Sequence, residues 1–153
     1  TDEMKKLGKT PTSKVLEFDI TTPNKKIAKT LSITTNEKVY RFTRLRLADN
    51  EPMMLETSYI PYELFKGITK EDLENRPLYT ILIEEFNTSF SKAEEMFRPT
   101  LMEDDEADKL HYIEGGPAIL LERITYNNNE KIIEYTKSVA RGDKFKYHVV
   151  LEK

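Results

Sequence analysis

The sequence predicts an α+β fold whose main sheet is built from antiparallel strands. Two pairs of long segments alternate between apolar and polar residues, and each pair flanks a short turn of Asp or Asn residues, which is typical of β-hairpins. Short stretches with apolar residues at helical spacing separate the hairpins. Because strands joined by tight turns pair in antiparallel fashion, helices interspersed among them indicate the α+β class.

The first third of the chain predicts one strand and one helix. Residues 1–12 are polar and have the character of a connecting segment. Residues 14–20 alternate in polarity, as a half-buried strand does. Thr22 as the N-cap and Pro23 in the first turn then predict a short helix over residues 23–31.

A hairpin over residues 39–61 follows, and it carries the most informative charges. A three-residue loop at its turn pairs Arg44 with Glu56 across the strands, and Arg46 with Met54, whereas a two-residue turn shifts this pairing by one position. Two guanidinium groups roughly 7 Å apart along the strand, beside one carboxylate, provide a grip for an anionic, polyhydroxylated ligand. The competing interpretation is an ordinary cross-strand ion pair between Arg44 and Glu56, which the hairpin alone favours.

Caps and punctuating residues define the elements in the middle of the chain. Thr69 and Asp72 form a capping-box pattern, and a second short helix opens at Pro77. Residues 90–101 predict a strand, and residues 103–111 predict a helix that ends before a Gly-Gly break.

The last third of the chain predicts a second hairpin and a final strand. The hairpin strands span residues 117–126 and 130–141 around a turn of three asparagines. Gly142 and Asp143 mark another tight turn before an alternating strand over residues 144–151.

A second carboxylate of interest lies on the last hairpin. In one interpretation, Glu134 and Glu56 form an acid/base pair. In the other, Glu134 faces solvent, as glutamates on antiparallel strands usually do. The sequence has no glycine-rich phosphate loop, nucleophile elbow or metal-ligand spacing, and its two histidines, His111 and His148, lie on unrelated segments. It therefore predicts no metal ion or other cofactor.

Composition narrows the class of protein. A chain of 153 residues is about one domain, and its formal net charge of -3 offers no broad cationic surface for nucleic acid. Any DNA contact thus belongs to another part of the protein. The chain has no cysteine, and it shows no membrane-spanning apolar run or signal peptide. We expect a cytoplasmic protein without membrane contact.

Five motifs follow one another along nearly the whole chain. They are Phe-Thr-Arg-Leu-Arg-Leu-Ala-Asp-Asn-Glu-Pro-Met at 42–53, Glu-Thr-Ser-Tyr-Ile-Pro at 56–61, Pro-Leu-Tyr at 77–79, Gly-Pro-Ala-Ile-Leu-Leu at 116–121 and Glu-Tyr-Thr-Lys-Ser-Val-Ala-Arg-Gly-Asp-Lys-Phe at 134–145. Each motif is weak alone, but five in this order are specific. Together they resemble the UTRA domain, the effector-binding half of HutC-type transcriptional regulators in the GntR family.

The resemblance implies a fold and a role. The fold is chorismate-lyase-like, an antiparallel sheet that curls into a barrel with helices packed outside. Residues 1–12 are then the linker from an N-terminal winged helix-turn-helix domain, which is missing from this sequence, and residues 13–153 are the effector-binding domain. The implied protein is a non-catalytic, homodimeric repressor or regulator that contacts operator DNA only through the missing domain.

The resemblance also implies a ligand site, because the motifs are closest to those of members that sense sugar phosphates. By position, Arg44, Arg46 and Tyr79 hold the phosphate, while Glu56 and Glu134 contact sugar hydroxyls or an amino group. Such a ligand suits these side chains, because guanidinium groups bind phosphate oxygens bidentately and carboxylates accept from hydroxyls.

Three positions bear on the identity of that ligand. Pro77 stands where a small polar residue often helps to hold the phosphate, and Ala140 replaces a common aromatic residue. A hydroxyl of the linker, such as that of Thr1, is a further candidate for the phosphate site. These positions affect the choice of metabolite more than the class of ligand.

Two other functions remain open at the level of sequence. An enzyme of the chorismate-lyase-like fold would use Glu56 or Glu134 as a general acid, with the arginines holding a carboxylate substrate. A dimerisation module with a vestigial pocket would bind no ligand at all. One fold hosts unrelated functions, so the fold does not decide between them.

Overall fold

The described part of the chain, residues 11–152, contains six strands and four helices in a computed structural model. The strands are β1 Pro11–Thr21, β2 Val39–Ala48, β3 Glu51–Pro61, β4 Lys92–Leu101, β5 Pro117–Tyr126 and β6 Ile132–Arg141. The helices are α1 Lys25–Leu31, α2 Lys70–Asn75, α3 Leu78–Phe86 and α4 Asp104–Leu110. None of these four helices is long and apolar enough to cross a membrane.

All six strands form one antiparallel sheet in the order β1-β2-β3-β6-β5-β4. The predicted α+β class is confirmed. The expected closure into a barrel is wrong, because β1 and β4 stand at opposite edges and do not pair with each other within residues 11–152. No further strand of the described chain bridges these edges, so the sheet stays open.

Side-chain alternation divides the core between the two faces of the sheet. On one face, Tyr40 of β2 and Ile60 of β3 pack in the same cluster as Ile81 of α3. On the other face, Tyr135 belongs to a cluster that includes α1, and Val139 belongs to one that includes α4. The helices therefore cover both faces, and α3 lies over the face that carries the paired arginines.

The central hairpin reaches its predicted pairing by a different route. Its turn has two residues, both with positive φ (50° and 65°), so the shorter of the two loop lengths considered above is the one that forms. The pairing of Arg44 with Glu56 and of Arg46 with Met54 is nevertheless confirmed. The register shifts beyond Arg46 because Met53 is an extra residue on β3, and this bulge cancels the shorter turn.

Side-chain caps set the start of the first two helices. Asn24, rather than the predicted Thr22, caps α1, because its Oδ1 accepts the Ile27 N–H at 2.9 Å. The capping box of α2 is confirmed: Thr69 Oγ1 accepts the Asp72 N–H at 3.1 Å, and Asp72 Oδ2 accepts the Thr69 N–H at 2.9 Å.

The predicted strand over residues 144–151 is wrong, because residues 145–152 lie outside the sheet. A strand that follows β6 through a tight turn needs a free edge on β6, but β3 and β5 already pair with both edges. The turn itself requires glycine: the Gly142 N–H donates to the Pro117 carbonyl at 2.9 Å, and a Cβ at position 142 would stand 2.4 Å from that oxygen.

The other predicted elements are confirmed with small changes at their ends. β6 begins at Ile132, two residues later than predicted, because Asn127 Oδ1 accepts the backbone N–H of Lys131 at 3.0 Å and extends the turn. At the other end of the chain, β1 already includes Pro11 and Thr12, the last two residues of the expected linker. The rest of that linker, including Thr1, lies outside the described residues.

Candidate functional site

Five side chains predicted from the sequence line one cavity of about 250 Å³: Arg44, Arg46, Glu56, Tyr79 and Glu134. The register explains how they meet. Arg44 pairs with Glu56, which pairs with Ser138, which in turn pairs with Leu121, so a row of inward residues crosses β2, β3, β6 and β5. The N-terminal end of α3 also lines the cavity. The remaining lining residues are Met54, Pro77, Leu78, Glu95, Leu121, Arg123, Thr136 and Ser138.

At the β2 end of the cavity, two arginines share one carboxylate oxygen. Arg44 Nη2 lies 3.4 Å and Arg46 Nη1 lies 3.3 Å from Glu56 Oε2, and all three side chains are at most 10% exposed. The Nε atoms of both arginines are buried and have no hydrogen-bond partner. Because two cations face one anion, this end carries a surplus positive charge and unused N–H donors.

The pKa shifts of these groups reflect burial and charge together. Burial lowers the pKa of Arg44, while the Glu56 carboxylate opposes that change. Burial alone would raise the pKa of Glu56, but the positive charges of Arg46 and Arg44 outweigh it and hold the pKa of Glu56 below its usual range. Glu56 is therefore ionised at neutral pH, and arginine keeps its proton there.

The N-terminus of α3 adds a second source of positive potential. Pro77 occupies the N-cap and makes no side-chain capping bond, and Pro77, Leu78 and Tyr79 all line the cavity. The first N–H groups of a helix have no intrahelical acceptor and stand at the positive end of the helix dipole. An uncapped helix start thus faces the same space as Arg44 and Arg46.

Glu134 lies deeper and is already saturated with donors. Its side chain is 1% exposed, and its Oε1 accepts the Tyr79 hydroxyl at 2.6 Å and the Thr125 hydroxyl at 2.7 Å. Its Oε2 accepts the Thr136 hydroxyl and lies 3.5 Å from Arg123 Nη2. Burial and the charge of Glu134 raise the pKa of Tyr79, so this phenol stays a donor. Glu134 therefore holds the cavity wall together.

Arg123 is a cavity residue that the sequence analysis missed. It lies on β5, opposite Glu95 of β4 and opposite Thr136 of β6, and its guanidinium carbon stands 5.5 Å from the centre of the Tyr79 ring. Burial would lower the pKa of Arg123, but the charge of Glu134 and other nearby groups outweighs it and raises the pKa. Alternation along β5 from Thr125, the partner of Glu134, would have indicated this position.

Other positions singled out in the sequence lie away from the cavity lining. His111 ends α4 in the left-handed region, with φ of 53°, and His148 lies in the exposed segment after β6. Ala140 is fully buried between Met54 of β3 and Ile119 of β5. Among residues 11–152, no three His, Cys, Asp or Glu side chains are grouped to hold a metal ion.

Comparison with known protein families gives a direct result. A model of the UTRA domain matches residues 6–146. The chain belongs to the UTRA domain family. The predicted resemblance is thereby confirmed, and the chain's relatives are HTH-type transcriptional regulators.

Among these relatives is the HTH-type transcriptional repressor NagR of Bacillus subtilis, which is 31% identical over 148 residues, or 96% of this chain and 60% of NagR. GmuR of the same organism is 27% identical over 87% of this chain and 56% of GmuR. The Mannosyl-D-glycerate transport/metabolism system repressor MngR of Escherichia coli is 23% identical over 92% of this chain and 58% of MngR. The UTRA chain thus spans about 60% or less of these relatives.

Solved structures share the fold of this UTRA domain. The effector domain of PhnF from Mycobacterium smegmatis superposes with a TM-score of 0.90 at 22% identity, covering 100% of this chain and 94% of that domain. A GntR-family transcriptional regulator from Enterococcus faecalis superposes with a TM-score of 0.84 at 21% identity, covering 93% of this chain and 100% of the other. Both comparisons support the fold described above.

Proposed function

We propose that this UTRA domain senses a small sugar phosphate and does not act as an enzyme. The observation that carries the proposal is the pair of buried arginines, Arg44 and Arg46, which share the single carboxylate of Glu56. The start of α3 lines the same cavity. A phosphate group supplies the negative charge and the acceptor oxygens that this end of the cavity lacks. Bound there, the phosphate would accept from the guanidinium groups and from the backbone N–H groups of Leu78 and Tyr79.

The size and lining of the cavity suit a single phosphorylated sugar. A volume of about 250 Å³ lies below the 300 to 1,000 Å³ common for drug-sized ligands. The wall away from the arginines is polar and carries Arg123, Glu95, Thr136 and Ser138. The name of MngR, a mannosyl-D-glycerate system repressor, further supports a carbohydrate-derived ligand.

The geometry argues against the rival role as an acid-catalysing enzyme. A general acid must hold a proton near neutral pH, yet the two arginines keep Glu56 ionised. Glu134 accepts from three hydroxyls and faces Arg123, so its oxygens are already engaged. Neither carboxylate is arranged to donate a proton to a substrate.

We infer that the ligand acts on DNA binding through a homodimer in the cytoplasm. In this proposal, a DNA-binding domain precedes the UTRA domain, and the residues before β1 form the linker to it. A ligand with different affinities for two dimer arrangements would change the spacing of the two DNA-binding domains. The ratio of the ligand's affinities for the two arrangements limits how far it can shift the equilibrium between them.

A thermal-shift screen tests the proposed ligand class. Hexose 6-phosphates, trehalose 6-phosphate, free sugars and chorismate are compared at equal concentrations. At a hundredfold excess over its Kd a ligand stabilises the fold by about 2.7 kcal/mol, or roughly 5 to 10 °C in Tm for a domain of this size. We expect a shift with a phosphorylated sugar and none with the corresponding free sugar. A shift with chorismate alone would instead favour the enzyme, and no shift at all would favour a vestigial pocket.

A further inference from the structure

The wall of the cavity farthest from Arg44 contains an ion pair that leaves hydrogen-bonding capacity unused. Arg123 of β5 and Glu95 of β4 stand directly opposite each other in the register, and both line the cavity. Arg123 Nη1 lies 3.8 Å from Glu95 Oε2, beyond the length of a hydrogen bond. The two charges attract each other, but neither group is satisfied by the other.

Both partners keep free positions toward the cavity. Within residues 11–152, Glu95 contacts no cation other than Arg123, and its side chain is 46% exposed. The Arg123 side chain is 32% exposed, and its Nη1 has the Glu95 carboxylate only at 3.8 Å, so this N–H group is left for a ligand, whereas its Nε is buried. A guanidinium donor beside a carboxylate acceptor matches a hydroxyl group, which accepts from the first and donates to the second.

Arg123 is held in place before any ligand binds. Its guanidinium packs over the Tyr79 ring at 5.5 Å, and Nη2 lies 3.5 Å from Glu134. The hydroxyl of Tyr79 also donates to Glu134, so the ring that supports Arg123 is itself fixed. A side chain restrained in this way loses little rotamer freedom on binding.

Local charge separates this end from the phosphate end. Arg123 faces two carboxylates, those of Glu134 and Glu95, whereas Arg44 and Arg46 share one. A second anionic group is therefore disfavoured beside Arg123, and neutral hydroxyls are favoured. Three strand spacings separate β2 from β5, so their backbones lie about 14 Å apart. The side chains that extend into the cavity from both strands leave a shorter gap, which suits a sugar ring.

We propose that Arg123 and Glu95 form a hydroxyl-recognition subsite that contacts the sugar ring of the ligand. The subsite rests on the proposed function, because the phosphate must occupy the Arg44–Arg46 end. It would let the domain distinguish a sugar phosphate from inorganic phosphate or a simple phosphate ester. Arg123 and Glu95 are then the residues that determine specificity, while Arg44 and Arg46 determine the affinity for the anion.

Isothermal titration calorimetry of single variants tests the subsite. Glucose 6-phosphate, glucosamine 6-phosphate, mannose 6-phosphate and inorganic phosphate are titrated into the wild-type chain, Arg123→Met and Glu95→Ala. Each variant should weaken binding of the preferred hexose phosphate by about tenfold or more, since each loses a hydrogen bond to a charged group. The affinity for inorganic phosphate should change by less than about twofold, because Arg44 and Arg46 are unchanged in both variants.

A matched control excludes a general effect of losing a carboxylate from β4. Glu94 neighbours Glu95 but points to the opposite face of β4, so Glu94→Ala should leave hexose phosphate binding unchanged. If Arg123→Met weakened binding of hexose phosphate and of inorganic phosphate equally, Arg123 would contact the phosphate itself, and the subsite would be overturned. Unchanged binding of every ligand in Glu95→Ala would also overturn it. A wild-type chain that binds none of the four compounds would overturn the proposed function as well.

Discussion

The two ends of the cavity use the same residue types in opposite proportions. At the β2 end, Arg44 and Arg46 share the carboxylate of Glu56. At the β5 end, Arg123 faces two carboxylates, those of Glu134 and Glu95. One end is therefore left with a surplus cation and the other with a surplus anion. The formal net charge of the chain, -3, says nothing of this separation, since it sums residues that do not line the cavity.

The comparison also separates two roles for buried glutamates. Glu56 accepts long hydrogen bonds, at 3.3 and 3.4 Å, from two arginines that keep other donors free. Glu134 accepts short ones from the hydroxyl groups of Tyr79, Thr125 and Thr136. Glu56 thus leaves its two cations with spare donors, which the proposed function assigns to the ligand, whereas Glu134 fixes the wall. Substitutions at the two ends should accordingly affect different measurements.

The largest effect is expected at the β2 end, where the phosphate is proposed to bind. Arg44→Met should weaken binding of the preferred hexose 6-phosphate by at least about 100-fold, because it removes charge-assisted hydrogen bonds to the phosphate. Arg41→Met is the matched control, since Arg41 lies on the opposite face of β2 and pairs with Glu17 at 2.8 Å. Calorimetric titration of both variants measures their affinities for the ligand. Equal affinities for Arg44→Met and the control would contradict the proposal that Arg44 binds the phosphate.

The wall end should respond mainly in stability. Glu134→Ala leaves the Tyr79 hydroxyl and the Arg123 guanidinium without their buried partner, so the free energy of unfolding should fall by about 3 kcal/mol. Lys137→Ala, an exposed position on the same strand, should change it by less than about 0.5 kcal/mol. Urea unfolding gives both values. A stable Glu134→Ala variant that had lost only ligand affinity would make Glu134 a ligand contact instead.

Glu56→Gln should produce a smaller change with an unusual sign. The substitution removes the anion that competes with phosphate for both arginines, so the affinity for inorganic phosphate should rise a few-fold. Without phosphate, two buried guanidinium groups then lack their counter-ion, and the domain should be less stable. Urea unfolding with and without phosphate measures this difference. Weaker phosphate binding by the variant would show that Glu56 orients the arginines rather than competing for them.

The smallest expected effect is a difference in how folding stability depends on pH. The folded-state pKa of Glu56 lies below its ordinary value of about 4.3, so its contribution to stability is complete above that value. The contribution is lost as the pH falls through the lower, folded-state pKa. Stability measured by urea unfolding should therefore fall more steeply below about pH 4.3 in the wild-type chain than in Glu56→Gln. Parallel profiles for the two proteins would contradict this assignment.

The sequence could predict most of the fold because its signals are local. Alternation and turn residues located β1, β2, β3, β5 and β6, and the capping box of Thr69 located α2, whereas β4 was predicted from a segment without a clean period. The segment over residues 144–151 shows the limit of such signals, since alternation indicates that a chain can pair but not that an edge is free. The pairing of Arg44 with Glu56 was expected for a three-residue loop, and the two-residue turn produces the same pairing because of the bulge at Met53.

The candidate site divides in the same way. Arg44, Arg46 and Glu56 lie within one hairpin, so their proximity follows from strand pairing over short sequence distances. Tyr79 was placed through the resemblance to UTRA domains, whereas Glu134 was first singled out on its strand and took its ligand role from the resemblance. The structure brings the two side chains into contact. Their use as ligand contacts stays a prediction. The second hairpin places Arg123, which was missed, on the same face as Glu134, but its place in the cavity also depends on the long-range packing of Tyr79 from α3, which the hairpin does not indicate.

The most direct test of the account compares a phosphorylated sugar with its free sugar on the wild-type chain. Calorimetric titrations with glucosamine 6-phosphate and glucosamine, and with glucose 6-phosphate and glucose, isolate the contribution of the phosphate. We expect that at least one phosphorylated sugar binds and that its free sugar binds at least about 100-fold more weakly, because only the phosphate neutralises the surplus charge of Arg44 and Arg46. Equal affinities for a sugar and its phosphate would contradict the central claim.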